Sequence, residues 1–441
     1  MRIIVNEKEY NDINRLVDLW SIHKKQSTWG EEHDFLESAI PLRIFDTAEG
    51  SISILYGPRQ IGKTSSLKLW LAQVTGYDTL AFTDCSTLLN KQDLLNHLRA
   101  VIHGRTTLVL DEVQEVDGWH LALRSLHSEG GLEHCRIWCT GSEARHLLES
   151  GERLPGRKGA GKMVFARPWS FREYADFFYA PMVEEFKILS LKDVTPEWIA
   201  SHAGRLNQPW KEYLRCGGFP WVVAHFRRHG MVSDELFGVY RDWILGTWSR
   251  QRTPERSQYA LAQRLVETLN SRVGNEALRR GTDIQSANTV RTLLEMQEDH
   301  FALRVVPRFD PQKKKFLPAK LKKIYPLDPF VARVWASIGG DLRRLIDESL
   351  PELALSECAF QAQTYRYEGS SELSYLYSDA TKSEVDFFWE NRAFELKSRG
   401  RPTPKQRQLM SHAPLAFALS EETVPLAAYL VGEGSMELRR R

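Results

Sequence analysis

Cysteine is scarce in this chain of 441 residues, and the few present are unpatterned. Cys85, Cys135, Cys139, Cys216 and Cys358 form no CxxC pair and show no zinc-type spacing. An odd, unpatterned set excludes a disulfide framework and suits reduced thiols in a cytosol. Net charge is nearly absent too, at +2, so any nucleic-acid contact must come from local basic patches. No uninterrupted apolar run approaches a membrane span; the best stretch, 412–432, is broken by Glu421 and Glu422. The opening MRIIVNEKEY lacks the basic start and apolar run of a secretory signal. The expectation is a soluble cytoplasmic protein without membrane contact. There are no internal repeats and no low-complexity tract. What remains is an ordinary globular composition, 42% hydrophobic and 26% charged, which excludes wholesale disorder. The length calls for several cores.

Residues 1–50 read as helical, with helices over Asp12–His23 and near Glu32–Ile40. Residues 51–170 alternate apolar or β-branched runs (SISILYG, TLAFTDC, TTLVLDE, CRIWCTG, KMVFARP) with amphipathic stretches. That alternation predicts a parallel sheet covered by helices. After Pro168 the pattern turns helical and rich in Trp and Phe, through about Gln251. Residues 258–330 read as three helices and a hairpin, with Ser286 capping a third helix that runs to about Glu298. FALRVVPRFD and KLKKIYPLD are the expected hairpin strands. From about 350 the chain opens with a helix and continues with the strands ELSYLYSD, SEVDFFW and RAFELKS.

Gly57-Pro58-Arg59-Gln60-Ile61-Gly62-Lys63-Thr64-Ser65 fits G-x-x-x-x-G-K-[ST] at every fixed position. It follows a strand-like run and precedes a helix-like one, the context the motif needs. Glycines let successive backbone N–H groups turn inward around phosphate oxygens, and the helix N-terminus adds a favourable dipole. Lys63 is placed for the β- and γ-phosphates and the Thr64 hydroxyl for magnesium. Arg59 either pairs with a phosphate or faces solvent. A second element, Thr106-Thr-Leu-Val-Leu110-Asp111-Glu112, is an apolar strand ending in two carboxylates. Asp111 suits the magnesium sphere, and Glu112 suits polarising the attacking water. Together these predict ATP and Mg2+ as ligands and ATP hydrolysis as the activity.

DEVQEVDGWHLALRSL, CTGSEARHLL, LPGRKGAGKMVFARPWSFREYADF and CGGFPWVV follow in order. Taken together they resemble a large bacterial and archaeal family of AAA+-type P-loop ATPases. The resemblance covers nearly the whole chain after residue 40. It implies an α/β architecture of four parts. These are an AAA+ core with a parallel sheet (1–170), a helical lid (171–251), a winged helix (252–335) and a C-terminal α/β restriction-endonuclease-like domain (345–441). It further implies that Thr140 or Ser142, at the end of the CRIWCTGS strand, is a polar sensor of the γ-phosphate or the water. Arg157 takes the place of an arginine finger reaching a neighbouring subunit of a homo-oligomer, with Arg145 and Arg153 as rivals.

The tip QKKKFLPAKLKK at 312–323 places Lys313, Lys314, Lys315, Lys320, Lys322 and Lys323 in one basic wing. Such a wing neutralises DNA phosphates without reading sequence. A helix carrying Asn288, Arg291 and Gln297 lies beside it in the chain and is a candidate for a groove. An ordinary solvated hairpin is the plain alternative.

Further on, Glu395 and Lys397 are two apart in a strand and point to one face. A hairpin turning at Glu390-Asn391-Arg392 brings Asp386 onto that face. Two carboxylates and a lysine are what metal-assisted phosphodiester hydrolysis requires: magnesium between Asp386 and Glu395, with Lys397 steadying the water. Glu357, on the preceding helix, completes the pocket. The D…ExK spacing looks like that of restriction-endonuclease-type nucleases, while a salt-bridged strand pair is the competing explanation. The leading expectation is an ATP-hydrolysing protein acting on DNA, with a candidate magnesium-dependent deoxyribonuclease at its C-terminal end. The alternative is a nucleotide-dependent signalling switch whose C-terminal domain is an inactive interaction module.

Overall fold

The computed structural model of the chain describes residues 2–6, 8–10, 40–143, 161–318, 320–338, 352–364 and 373–432. These fall into two compact units, Met1–Arg167 with Asp299–Phe301, and Pro168–Glu298 with Ala302–Arg441.

The first unit is built on a seven-stranded sheet. Its strands are β1 (Arg2–Val5), β2 (Lys8–Tyr10), β3 (Ser51–Tyr56), β4 (Thr79–Asp84), β5 (Thr106–Asp111), β6 (Cys135–Gly141) and β7 (Met163–Phe165). The order is β2-β1-β4-β5-β6-β3-β7. Only β2 runs antiparallel, so the expected parallel sheet is present. β3 and β5 are buried at every position, as strands covered on both faces must be; β5 shows no alternation from Thr106 to Leu110, and in β3 even Ser51 and Ser53 are buried. Helices α1 (Lys63–Gln73), α2 (Lys91–Val101) and α3 (Trp119–Ser128) follow β3, β4 and β5 in the chain. The helical reading of residues 1–50 is corrected at its start: Arg2–Val5 pairs in parallel with β4, because the short β-branched run Ile3-Ile4-Val5 finds a sheet edge to complete. The helices expected over 12–23 and 32–40 lie outside the described residues.

The second unit begins with α4 (Phe171–Phe178), α5 (Asn207–Cys216), α6 (Pro220–His229) and α7 (Asp234–Ser249). A capping box between Ser170 and Glu173 starts α4. Then come α8 (Glu255–Glu267), α9 (Asn275–Arg279) and α10 (Ala287–Asp299), with the Ser286 hydroxyl accepting from the Thr289 N–H at 3.0 Å as a cap should. The hairpin differs from the expected one. β8 (Leu303–Val306) pairs with β11 (Lys323–Pro326), while β9 (Arg308–Asp310) and β10 (Lys315–Leu317) form a separate hairpin between them. β9 also pairs in parallel with β12 (Ser374–Ser378). The lysine-rich tip is therefore part of a six-stranded sheet, β10-β9-β12-β13-β14-β15, with β13 at Ser383–Trp389, β14 at Arg392–Lys397 and β15 at Leu415–Ser420. The β13–β14 turn has Glu390 and Asn391 at φ 48° and 60°, the left-handed pair that a two-residue hairpin needs. Later helices are α11 (Pro329–Ile338), α12 (Glu352–Gln363), α13 (Pro404–Met410) and α14 (Val424–Val431). α14 returns to α4: the Tyr429 hydroxyl donates to Asp176 at 2.6 Å. Among the described residues no helix is long and apolar enough to cross a membrane, and all five cysteines are buried free thiols.

The junction that ties these helices together explains two of the quoted motifs. The Gly218 N–H donates to the Asp328 carboxylate at 2.8 Å, and Phe330 N–H donates to it at 2.8 Å. The Trp169 N–H donates to Gly218 O at 2.7 Å. Burial raises the Asp328 carboxyl to about 7, against the pull of the two N–H donors. Its folded-state pKa thus lies above the unfolded value. The stability it contributes is full below the ordinary aspartate range and is lost as pH rises through about 7. Denaturant unfolding of the parent across pH 4–8 should show this loss, on the order of 4 kcal/mol. Asp328→Asn should flatten the slope; an unchanged slope in the variant refutes the assignment.

Candidate functional site

The sheet order places β6 between the strand that leads into the glycine loop and the strand that ends in the acidic pair. Its end therefore faces both. After β3 the loop opens at Gly57, whose φ of 153° and whose hypothetical Cβ, 2.0 Å from Ala166 O, leave no room for another residue. It closes at Gly62, left-handed at φ 94°, which starts α1. Lys63 is buried and donates to the carbonyls of Gly57 and Pro58, both at 2.9 Å. Burial lowers its pKa, opposed by the charges of Glu112 and Asp111. Arg59 and Ser65 are half-buried and Gln60 is exposed, while Pro58 and Ile61 are buried.

Thr64, in the first turn of α1, donates its hydroxyl to both Asp111 oxygens, at 3.0 and 2.9 Å. The Thr140 hydroxyl donates to Asp111 Oδ1 at 2.5 Å and accepts from the Glu112 N–H at 3.0 Å. Burial raises the Asp111 carboxyl, with the Thr140 hydroxyl pulling the other way. Ser142 donates to Glu112 Oε2 at 3.2 Å, and the Gln114 amide donates to the same oxygen. The two candidates for the sensor position thus divide the pair, Thr140 holding Asp111 and Ser142 holding Glu112. Glu112 and Gln60 both sit left-handed, at φ 53° and 62°. For a non-glycine residue that costs about 1–2 kcal/mol, and such strain clusters at working sites. Gln114 was not foreseen from sequence: a glutamine in a 3-10 turn after the acidic pair has no spacing that marks it. Arg145, Arg153 and Arg157 lie outside the described residues.

The half-buried Thr64 hydroxyl and the buried Asp111 carboxylate, which already converge beside the glycine loop, are the hard oxygen donors that magnesium takes beside a phosphate. Residues and group fit. Fold and site together define a P-loop nucleotide-binding domain. Residues 49–175 match a family model described as an AAA domain. No curated protein matches the chain. Among solved structures, the chain is similar to an Aeropyrum pernix ORC2 protein in ADPNP–ADP complexes, at 14% identity and TM-score 0.34, covering 70% of this chain and 93% of that one. It is likewise similar to Aeropyrum pernix ORC1 in complex with DNA, at 15% identity and TM-score 0.32, covering 76% and 94%. A Thermotoga maritima RuvB variant gives 12% identity and TM-score 0.28, covering 65% and 92%. Likenesses this distant carry no functional weight.

In the second unit the C-terminal candidates do assemble. Asp386 accepts from the Leu396 N–H at 2.9 Å, and its own N–H donates to Glu395 at 3.2 Å. Lys397 Nζ sits 2.7 Å from Glu395, which also accepts from Gln406. Glu357, fully buried, accepts from the Tyr325 hydroxyl at 2.6 Å. Burial raises Glu357 to about 8 and Glu395 to about 7, the nearby Asp386 charge adding to both.

One lysine is misplaced by the sequence reading. Lys323 is 0% exposed, and its ammonium lies 2.9 Å from Glu384, 3.0 Å from Asp386 and 3.9 Å from Glu357. Burial pulls its pKa down, but Asp386, Tyr325, Glu357 and Glu384 outweigh that and hold it well above the usual lysine value. It cannot touch DNA phosphate. The reason is register: Lys323 pairs with Val306 in the β8–β11 ladder, which turns its side chain inward. Gln297 is buried too, donating to Ile244 O at 2.8 Å, and so is lost as a groove contact. Lys313, Lys314, Lys315 and Lys320 are exposed, Lys322 is half-buried, and Asn288 and Arg291 are exposed. With Lys323 and Lys397 on the acids, the carboxylates of Asp386 and Glu395 are already neutralised and do not fit a divalent cation as they stand.

Proposed function

We propose that this chain is an ATP-hydrolysing AAA+ protein that acts on DNA through its exposed lysine-rich hairpin. The observation that carries the reading is the convergence of Lys63, Thr64, Asp111, Glu112 and Thr140 at the end of one sheet. Phosphates of ATP would be met by the N–H groups of the Gly57–Thr64 loop and by Lys63, which exchanges two carbonyl partners for phosphate oxygens. Thr64 and Asp111 would hold magnesium, which neutralises charge on the β- and γ-phosphate oxygens when bound. Glu112, aimed by Ser142 and Gln114, polarises the water. Arg157, with Arg145 and Arg153 as rivals, is the proposed finger acting across a homo-oligomer. The same reading divides the chain into AAA+ core (1–170), helical lid (171–251), winged helix (252–335) and restriction-endonuclease-like domain (345–441), in the cytoplasm.

For the C-terminal domain the deoxyribonuclease reading has only the convergence of Asp386, Glu395, Lys397 and Glu357 on its side, and Lys323 and Lys397 already occupy those acids. The second reading, a nucleotide-dependent switch with a non-cleaving module, is favoured by the buried Lys323 ammonium among those acids.

The DNA contact is tested by replacing Lys313, Lys314 and Lys315 together with glutamine. Binding should weaken about equally across sequences. The slope of log Kd against log salt should become shallower by roughly 2–3, since fewer counterions are released. DNA stimulation of ATP turnover should fall with it, while the DNA-free rate stays at the parent value. A triple variant that binds as the parent does across a salt series removes the hairpin from the reading.

A further inference from the structure

We infer that Lys323 takes the place of a metal ion in the C-terminal carboxylate cluster, so that the domain is a metal-free mount for the lysine-rich hairpin and not a phosphodiesterase. Four carboxylates, Glu357, Glu384, Asp386 and Glu395, gather where β11, α12, β13 and β14 meet. Acids packed this closely repel unless a cation lies among them. The cation present is the chain's own: Lys323 Nζ touches Glu384 and Asp386 at hydrogen-bond distance and approaches Glu357.

The ammonium is confined. Lys323 begins β11, whose four residues are all paired with β8, and its side chain is wholly buried, so moving the ammonium means repacking a buried stem. The remaining acids are engaged as well: Arg272 pairs with Glu384 and lies over the Tyr377 ring at 3.4 Å, and Lys397 holds Glu395. A divalent cation entering here would meet a buried positive charge on the same carboxylates.

What the cluster does instead is join. β11 carries the ammonium, and the hairpin that precedes it is sewn to the C-terminal sheet beside the acids. The β9–β12 ladder, the Arg308–Asp379 ion pair at 2.8 Å and the Phe309–Phe388 stack at 4.9 Å fasten the other side. The lysine-rich tip is thereby held at a fixed attitude to the rest of the unit. That the tip meets DNA belongs to the proposed function; the exclusion of metal stands apart from it.

The test uses the full chain, free of nucleotide, titrated with manganese and followed by the free-Mn2+ electron paramagnetic resonance signal and by melting temperature. The parent and Asp386→Asn are expected to deplete the signal equally, because no manganese binds through Asp386. Lys323→Met should melt on the order of 10 °C lower, since it leaves buried acids without their cation. Millimolar manganese should then recover part of that loss, and Asp386→Asn in the same background should abolish the recovery. If Lys323→Met does not fold, Lys323→Met with Glu384→Gln removes one charge of each sign and must gain the same Asp386-dependent manganese. Asp386-dependent manganese binding in the parent, or no gain of binding when the lysine is removed, overturns the inference. Either failure leaves the ATPase and hairpin readings intact, because Lys63-dependent nucleotide binding and lysine-dependent DNA binding are read separately.

Discussion

Glu112→Gln is expected to lower ATP turnover by about 10²–10⁴-fold, the range for loss of a positioned general base, while nucleotide affinity stays near the parent value. The argument is geometric. The Glu112 carboxylate is not part of the Thr64–Asp111 pair that would hold magnesium; it is held apart by Ser142 and Gln114. Its backbone is pinned by the Thr140 hydroxyl in a left-handed conformation that a side chain adopts only under constraint. Glutamine keeps the shape and the hydrogen bonds but not the basicity, so binding should survive and chemistry should not. Lys63→Ala is the contrasting variant: it removes the loop's buried cation and should lose binding itself. Phosphate release at saturating ATP and fluorescent-nucleotide titration separate the two. A Glu112→Gln protein that turns over at the parent rate would show that another group activates the water.

Gly218→Ala is expected to destabilise the second unit by about 3 kcal/mol or more, a fall of roughly 10 °C in melting temperature. A methyl group there would lie 2.1 Å from Trp169 O and 2.6 Å from Trp169 N. Both are backbone atoms, and the Trp169 N–H is itself bonded to Gly218 O, so the neighbour cannot rotate away as a side chain would. Moving it would also pull the Gly218 N–H off the buried Asp328 carboxylate, leaving an acid with fewer partners. Calorimetry of the full chain reads this as a shift in one transition. A variant that melts with the parent would mean that the segment around Trp169 yields more easily than its packing implies.

Those two sites differ in how far the sequence announced them. The glycine loop and the acidic strand end were legible because each part is local: a fixed-spacing loop, a strand of β-branched residues, and two adjacent acids at its end. The core sheet was legible for the same reason, since runs such as TTLVLD can only be buried strands. Gln114 and the left-handed backbone of Gln60 and Glu112 were not, because they depend on how three strand ends meet. Lys323 was misread for a stronger reason. A lysine among lysines reads as a solvated charge, and its partners Glu357, Glu384 and Asp386 lie in distant segments that no periodicity connects to it. The opening strand Arg2–Val5 was missed because four residues are too few to outweigh the helix-like pattern read from the sequence after them. Glu395 and Lys397 were read as sharing a face because they lie two apart on a strand, and their side chains do meet, at 2.7 Å.

The parallel ladder between β9 and β12 has a consequence for dissecting the chain. By sequence, the C-terminal domain begins near residue 345, and a fragment starting there would look self-contained. It would lack β9 and β10, leaving β12 with a bare row of amide and carbonyl groups, the kind of edge that recruits other chains. It would also lack Lys323, and so carry its acids uncompensated. A strand and a charge from the segment before residue 330 thus complete the sheet and the acid cluster after residue 370, so a boundary drawn at 345 cuts through one structural unit.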